Sequence, residues 1–272
     1  MINALSIDVE DWFCTHNMSQ VIKKEEWETC ESRIMENTKK TLDILDHYDT
    51  GATFFFLGWI AERFPELVLE IDNSGHEIAT HGYSHRLLTE LNPVEFAEEM
   101  VRSIEILKKY TKQDIIGFRA PSFTLIKKTL WALDILSKNG IKYDSSIYPI
   151  GFHPDYGLKN APLGPYKIKE DLIEFPLSCL RIFGKNIPFS GGAYFRIFPY
   201  RFTRFCIKRC NRDGRPAIFY FHPWKLDPNQ PKVVLPISKK FRQYYNLQRT
   251  ENRLKALLQD FEFTTIKKVL AL

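Results

Sequence analysis

Short apolar runs of strand length alternate along this chain with longer segments of helical period, and that alternation limits the fold more than any other feature of the sequence. Residues 4–9, 52–57, 77–80, 117–120, 142–143, 173–175 and 217–221 read as strands. Residues 32–47, 60–73, 93–110, 127–139 and 199–211 read as the helices between them. Ile34, Thr38, Leu42 and Leu45 share one face of the first helix, and Phe96, Met100, Ile104 and Leu107 share one face of the third. Asn92 before Pro93, with Glu95 behind, supplies an N-cap and a first-turn acid. About seven parallel strands joined by helical crossovers predict an α/β fold, a closed or distorted (β/α) barrel rather than an open sheet.

The 272 residues are 44% hydrophobic and 26% charged, a folded-globule composition that argues against disorder and coiled coil. With 38 Lys+Arg against 33 Asp+Glu the net charge is +5, too weak to imply nucleic acid. The most apolar window, ATFFFLGWIA at 52–61, falls far short of the roughly 20 residues a membrane-spanning helix needs. The N-terminus MINALSIDVEDWF has no basic stretch before its apolar run and reaches acids by Asp8, so it does not read as a secretion signal, and a cytoplasmic protein is expected. Five cysteines without a CxxC pair predict reduced thiols, and Cys14, though near the first acids, lacks a partner that would make it a nucleophile. The Pro/Gly-rich stretch 148–165 reads as a functional loop inside one domain, because a strand ending in a histidine lies beyond it. A tail helix at 249–258 and a last strand at 261–265 complete the expected order.

Four strand ends carry polar groups, at the edge where β/α folds gather their chemistry. In Ser6-Ile-Asp8-Val-Glu10-Asp11-Trp12, alternation along the strand turns Asp8 and Glu10 the same way, and half-buried carboxylates there call for a cation. In His81-Gly-Tyr-Ser-His85 the i, i+4 spacing on a helical turn lets two imidazoles converge on one metal ion. Histidines so spaced also serve as surface or capping groups; their place after a strand favours the metal. Arg119, in Gly117-Phe118-Arg119-Ala120-Pro121, suits a carboxylate clamp or a structural ion pair. His222 ends the strand Ile218-Phe219-Tyr220-Phe221 and precedes Trp224.

These strand ends, in this order, resemble the polysaccharide deacetylase family, carbohydrate esterase family 4. The likeness covers most of the chain, through ATFFFLGWIAERFPELVLEIDNSGHEIATHGYSH (52–85), RAPSFT, YDSSIYP, SGGAYFRIFPY and FYFHPWKLDPNQP. The later phrases look like a branch with a C-terminal extension associated with bacterial exopolysaccharide synthesis. The resemblance implies one catalytic domain over 1–272, with the extension inside about 148–272. It makes Asp8 the catalytic base, His81 and His85 metal ligands, Arg119 the residue that orients the base and His222 the general acid. Asp144 falls where the family often places a carboxylate tuning that histidine. Most members carry adjacent aspartates in the first motif; this chain has Asp-Val-Glu-Asp, so alternation makes Glu10 the third ligand and Asp11 the runner-up. The metal implied is divalent, zinc first, with cobalt, nickel or manganese also suited. An imidazole with an ordinary value near 6.5 would suit the acid role.

Trp12, Tyr194, Arg196 and Trp224 flank the motifs and are candidate substrate contacts, by stacking on a sugar ring or meeting an anionic group. Gly191 and Gly192 suggest a tight loop along the cleft, His76 reads as structural, and His153 as a loop residue near the substrate. Residues 196–215 hold seven basic residues against Asp213 alone, with Phe198, Phe202 and Phe205 at helical spacing. That pattern reads as a core-facing stripe with a solvated basic face, or as a surface for anionic headgroups and lipid- or nucleotide-linked sugars. The function expected is metal-dependent removal of N-acetyl groups from a glycan in bacterial surface-polysaccharide synthesis. Hydrolysis of another amide, such as a cyclic imide, and a catalytically silent glycan-binding protein are the rival readings. The sequence leaves the oligomeric state open.

Overall fold

The computed structural model describes residues 1–151, 153 and 156–272. The strands are β1 (Asn3–Val9), β2 (Thr53–Phe56), β3 (Glu77–Thr80), β4 (Gly117–Phe118), β5 (Tyr143–Asp144), β6 (Tyr166–Lys169), β7 (Leu172–Glu174), β8 (Cys179–Ile182), β9 (Lys185–Pro188), β10 (Ile218–Phe221) and β11 (Phe263–Thr264). The main sheet runs β10-β1-β2-β3-β4-β5-β7-β6, with β11 also on β1. From β10 to β7 every pairing is parallel, which makes seven parallel strands, and β6 folds back antiparallel on β7. This is a distorted (β/α) barrel. At the outer edge of β10 the backbone of Tyr220 donates to the Ser190 carbonyl at 2.8 Å, so a loop rather than a strand covers that edge.

The helices are α1 (Ile34–His47), α2 (Gly58–Arg63), α3 (Pro65–Asn73), α4 (Pro93–Lys108), α5 (Ala132–Lys138), α6 (Tyr194–Ile197), α7 (Tyr200–Arg212), α8 (Ile237–Tyr244), α9 (Thr250–Asp260) and α10 (Ile266–Leu270). None among the described residues is long and apolar enough to cross a membrane. Strand alternation divides the core. Leu5, Ile7, Val9, Phe54 and Phe56 pack outward with α1–α3, whereas Ala4, Phe55, Ala79, Ile218 and Tyr220 form a second, inner cluster. Each phenylalanine so buried contributes about 1.5–3 kcal/mol. Asp8 follows Ala4 and Ser6 in the alternation and therefore turns inward.

The structure departs from the sequence reading in four places. The helix expected over 60–73 is two helices, because Pro65 lacks an amide hydrogen and interrupts the ladder after Phe64. The segment 127–139 opens with a single 3-10 turn, and α-helix is confined to α5. β7 meets the strand expected at 173–175, but its hairpin partner β6, the hairpin β8–β9 and α8 had no expected counterpart. Finally, α7 presents Thr203, Cys206, Ile207 and Cys210 to the core; of the aromatic stripe only the half-buried Phe202 packs against it, while Phe198 is half-buried outside it and Phe205 is 56% exposed.

Candidate metal centre and active site

The C-terminal end of β1 delivers Asp8, and the chain then turns, with the Glu10 amide donating back to the Asp8 carbonyl at 2.9 Å. Asp8 Oδ1 accepts from Arg119 Nη1 at 2.6 Å. Arg119 is fully buried, and its other donors meet Ser6 Oγ, the Ser145 carbonyl and Ser145 Oγ at 2.9–3.0 Å, while its guanidinium lies 4.2 Å from the Phe55 ring centre. A planar fork held on every side fixes one carboxylate oxygen and leaves Asp8 Oδ2 for the cleft.

Glu10 Oε1 lies 3.0 Å from His81 Nε2 and 3.1 Å from His85 Nε2, with all three residues almost wholly buried. Burial opposes the Glu10 charge, but His85, His222 and the hydrogen bonds from His81 and His85 outweigh it and hold the carboxyl well below its ordinary value. His81 Nδ1 is 2.7 Å from the Arg119 carbonyl, which can only accept, so Nδ1 carries a proton and donates. In the neutral ring, Nε2 then faces Glu10 Oε1 lone pair to lone pair, an arrangement that a cation between them resolves. One carboxylate oxygen and two imidazole nitrogens suit zinc and neighbouring divalent ions, and their 3.0–3.1 Å separations match atoms sharing one ion at bond lengths of about 2.0–2.2 Å. Glu10, His81 and His85 therefore fit a metal. Asp11 turns away: its oxygens accept from the Trp12 amide, Ser32 Oγ and the Arg33 amide at 2.6–2.9 Å, at the entry to α1.

The histidine pair does not sit on a helical turn, as its spacing predicted. Residues 81–87 form a loop in which Gly82 (φ 75°) and His85 (φ 57°) are left-handed. Glu99 on α4 holds that loop by accepting from the Tyr83 and Ser84 amides at 3.1 and 2.9 Å and from Ser84 Oγ.

His222 Nε2 stands 3.8 Å from Asp8 Oδ2 and 3.7 Å from Glu10 Oε1. Its other nitrogen, Nδ1, is 2.7 Å from Lys225 Nζ. Burial and the Lys225 charge push the imidazole down to about 3 against the pull of Glu10 and Asp8, so it is neutral at pH 7 rather than near the ordinary value the sequence implied. Lys225 was absent from the expected site, and Asp144, the expected tuning carboxylate, makes no described contact with His222. Cross-strand register sets Asp144 beside Glu174. Its contacts are Ser146 Oγ and that second carboxyl, and burial raises both acids.

The cleft above these groups is lined by Asp8, Glu10, His81, His85, His222 and Trp224, by Arg196, Lys225 and Arg242, and by His16, His153, Tyr156, Tyr220 and the left-handed pair Ser122–Phe123. Gly192 also lines it; at Gly191 a Cβ would meet the Tyr220 carbonyl at 1.8 Å, which is why the loop needs glycine there. Of the four expected substrate contacts, Trp224 and Arg196 reach the cleft. Trp12 is buried beside Phe13 with Nε1 donating to the Glu31 carbonyl at 3.0 Å, and Tyr194 sits behind Tyr156, hydroxyl to hydroxyl at 3.3 Å. Tyr156, Tyr220 and Arg242 were not anticipated; the run of tyrosines and basic residues around them carries no distinctive spacing.

The structure is a distorted (β/α) barrel that gathers acids, imidazoles and an arginine at the C-terminal ends of its strands, the edge where such folds place their active sites. Comparison with known proteins is more specific. Residues 26–143 match the model of the polysaccharide deacetylase family and residues 145–271 match a domain of unknown function, DUF3473. The chain thus carries a polysaccharide deacetylase domain of the carbohydrate esterase family 4 type, followed by a DUF3473 domain. A peptidoglycan-N-acetylglucosamine deacetylase of Bacillus cereus is 32% identical over 123 residues, which is 41% of this chain and 45% of that protein. A peptidoglycan deacetylase of Helicobacter pylori is 31% identical over 117 residues, 43% of this chain and 39% of that protein. The matched part thus spans less than half the length of either relative. Among solved structures, one assigned to the polysaccharide deacetylases from Mycobacterium smegmatis superposes with a TM-score of 0.61 at 20% identity, over 98% of this chain and 87% of that one. A family 4 pseudoenzyme from Bacillus anthracis superposes at 0.51 and 15% identity, over 99% and 65%, so the fold by itself does not decide activity.

Proposed function

We propose that the chain is a metal-dependent N-deacetylase that removes acetyl groups from an N-acetylated sugar in bacterial surface or exopolysaccharide synthesis. The observation that carries the reading is the opposition of Asp8 Oδ2 and His222 Nε2 at 3.8 Å beside the Glu10–His81–His85 cluster. Glu10, His81 and His85 would hold a divalent ion, zinc by preference, with cobalt, nickel or manganese as substitutes. When bound, the ion supplies Lewis acidity, making water a better nucleophile near neutral pH and polarising the amide carbonyl.

Asp8, held by Arg119, accepts the proton of the attacking water at Oδ2. With a Lys225 N–H donating to Nδ1, the His222 ring proton lies on Nε2, facing the cleft. As the C–N bond breaks, Nε2 gives that proton to the leaving nitrogen while Nδ1 takes one from the Lys225 ammonium. Burial, with Arg196 next in effect, holds the Lys225 amine well below its ordinary value and so makes it a readier acid. The products are acetate and the free amine. Residues 1–272 act as one catalytic unit in this reading, since His222 and Lys225 come from the segment matching DUF3473 and Asp8 from the first strand.

We place the activity in the cytoplasm on a glycan or a lipid- or nucleotide-linked sugar, with peripheral membrane contact through the basic, Phe205-bearing face of α7; salt-sensitive binding to anionic liposomes tests that contact. The reaction is tested by acetate release from N-acetylglucosamine oligomers after zinc addition. Release by the wild type and its loss in Asp8→Asn support the reading; no release, or equal release by both, contradicts it. The Asp-x-Glu spacing favours a second reading, hydrolysis of a cyclic imide, which side-by-side assay of small imides separates.

A further inference from the structure

One wall of the cleft carries three cations, Arg196, Lys225 and Arg242, and no acid of its own. Arg196 is 2% exposed. Its Nη1 donates to the Gln243 and Tyr245 carbonyls at 3.1 and 2.6 Å and its Nη2 to the Arg242 carbonyl, which satisfies hydrogen bonds but brings no negative charge. Its Nε–H is buried without an acceptor among the described residues. Burial lowers the guanidinium only to about 10, so the charge persists at neutral pH. Lys225 is buried too, and its amine and the Arg196 guanidinium flank Trp224 at 5.0 and 5.9 Å from the ring centre. The acids in the cleft, Asp8 and Glu10, are engaged by Arg119 and by the imidazoles. Among the described residues no carboxylate pairs with Arg196, Lys225 or Arg242. A buried charge without a counter-ion is costly, and Arg196 lines the cleft beside Lys225 and the exposed Arg242, so an anion held there would offset its charge at short range.

Resting on the deacetylase reading, we infer that Arg196, Lys225 and Arg242 form a subsite for an anionic substituent of the sugar substrate, a carboxylate or a phosphate. The Lys225 amine is hydrogen-bonded to the nitrogen of His222 opposite the one facing the cleft, so the anion is carried on the sugar being deacetylated or on its direct neighbour. The exposed Arg242 can offer its planar fork to either group through paired N–H donors, while Arg196, its fork held by carbonyls, contributes charge.

The test compares kcat/KM for acetate release from N-acetylglucosamine oligomers, N-acetylmuramic acid and N-acetylglucosamine 1-phosphate. Either anionic sugar is expected to exceed the neutral one by about tenfold or more, which corresponds to about 1.4 kcal/mol; the faster of the two identifies carboxylate or phosphate. Arg196→Gln and Arg242→Gln should bring that ratio towards one, chiefly through KM. Arg242 is exposed, so its variant reports even if Arg196→Gln does not fold. A wild-type ratio at or below one, or a ratio unchanged in Arg242→Gln, overturns the subsite while leaving neutral-sugar hydrolysis intact. Calorimetric binding of N-acetylglucosamine 1-phosphate to chelator-treated protein separates the two claims. Binding that Arg242→Gln weakens, without acetate release from any sugar, supports the subsite and counts against the deacetylase.

Discussion

At the scale of single residues, the proposed proton transfers fall to Asp8 and His222, with Arg119 and Lys225 beside them. Asp8→Asn keeps the shape and the Arg119 contact but removes the acceptor, so kcat should fall by about 10²–10⁴ with the circular dichroism spectrum unchanged. Lys225→Met removes the donor at His222 Nδ1. It should lower kcat by at least about tenfold, and nitrogen NMR of His222 should show the Nε2–H tautomer losing its dominance; an unchanged tautomer would sink the role given to Lys225. Asp8, Glu10, His81, His85, Arg119 and His222 were legible in the sequence because strand ends fix the side and direction of a residue. Lys225 and the true surroundings of Asp144 were not, since both depend on cross-strand and loop contacts that no local pattern encodes.

At the scale of elements, the loop after β3 matters more than the helix its histidine spacing evoked. Left-handed Gly82 and His85 hold the imidazoles, and Glu99 ties that loop to α4. Glu99→Ala should cost about 10–100-fold in zinc affinity, measured by competition with a chelating dye, while the melting temperature of the chelated protein changes far less than that of the zinc-loaded protein. The loop covering β10 is a second support. Gly191→Ala drives a Cβ into the Tyr220 carbonyl and forces a disfavoured φ of 135°, so thermal unfolding should report a loss of about 2 kcal/mol or more. The parallel strands were readable from their apolar runs, and Asn92 with Glu95 marked the start of α4. β6, the partner that folds back on β7, and the hairpin β8–β9 were not, because strands of four residues, several half-exposed, lack an alternation strong enough to see.

At the scale of the whole molecule, stability depends on pH through His76 and His222, and in the proposed reading on a bound ion as well. His76 is buried beside Phe54, and burial lowers its imidazole to about 4 against a weak pull from Asp46. The unfolded chain, near 6.5, takes up a proton first as the pH falls. Stability is therefore full above about 6.5 and declines towards pH 4, by on the order of 3 kcal/mol. Denaturant melts at pH 7 and 4.5 should show the decline, and His76→Gln should lessen it, with the part due to His222, whose imidazole burial holds down to about 3, remaining. Zinc at a hundredfold excess over its dissociation constant should add about 2.7 kcal/mol to the folded state. The most direct measurement is an equilibrium titration of the chelated protein with zinc, repeated for Glu10→Ala and His81→Ala. One ion per chain, with affinity falling at least about tenfold in each variant, is the expected result; a chain that takes up no zinc, or binds it equally well without Glu10, would contradict the account.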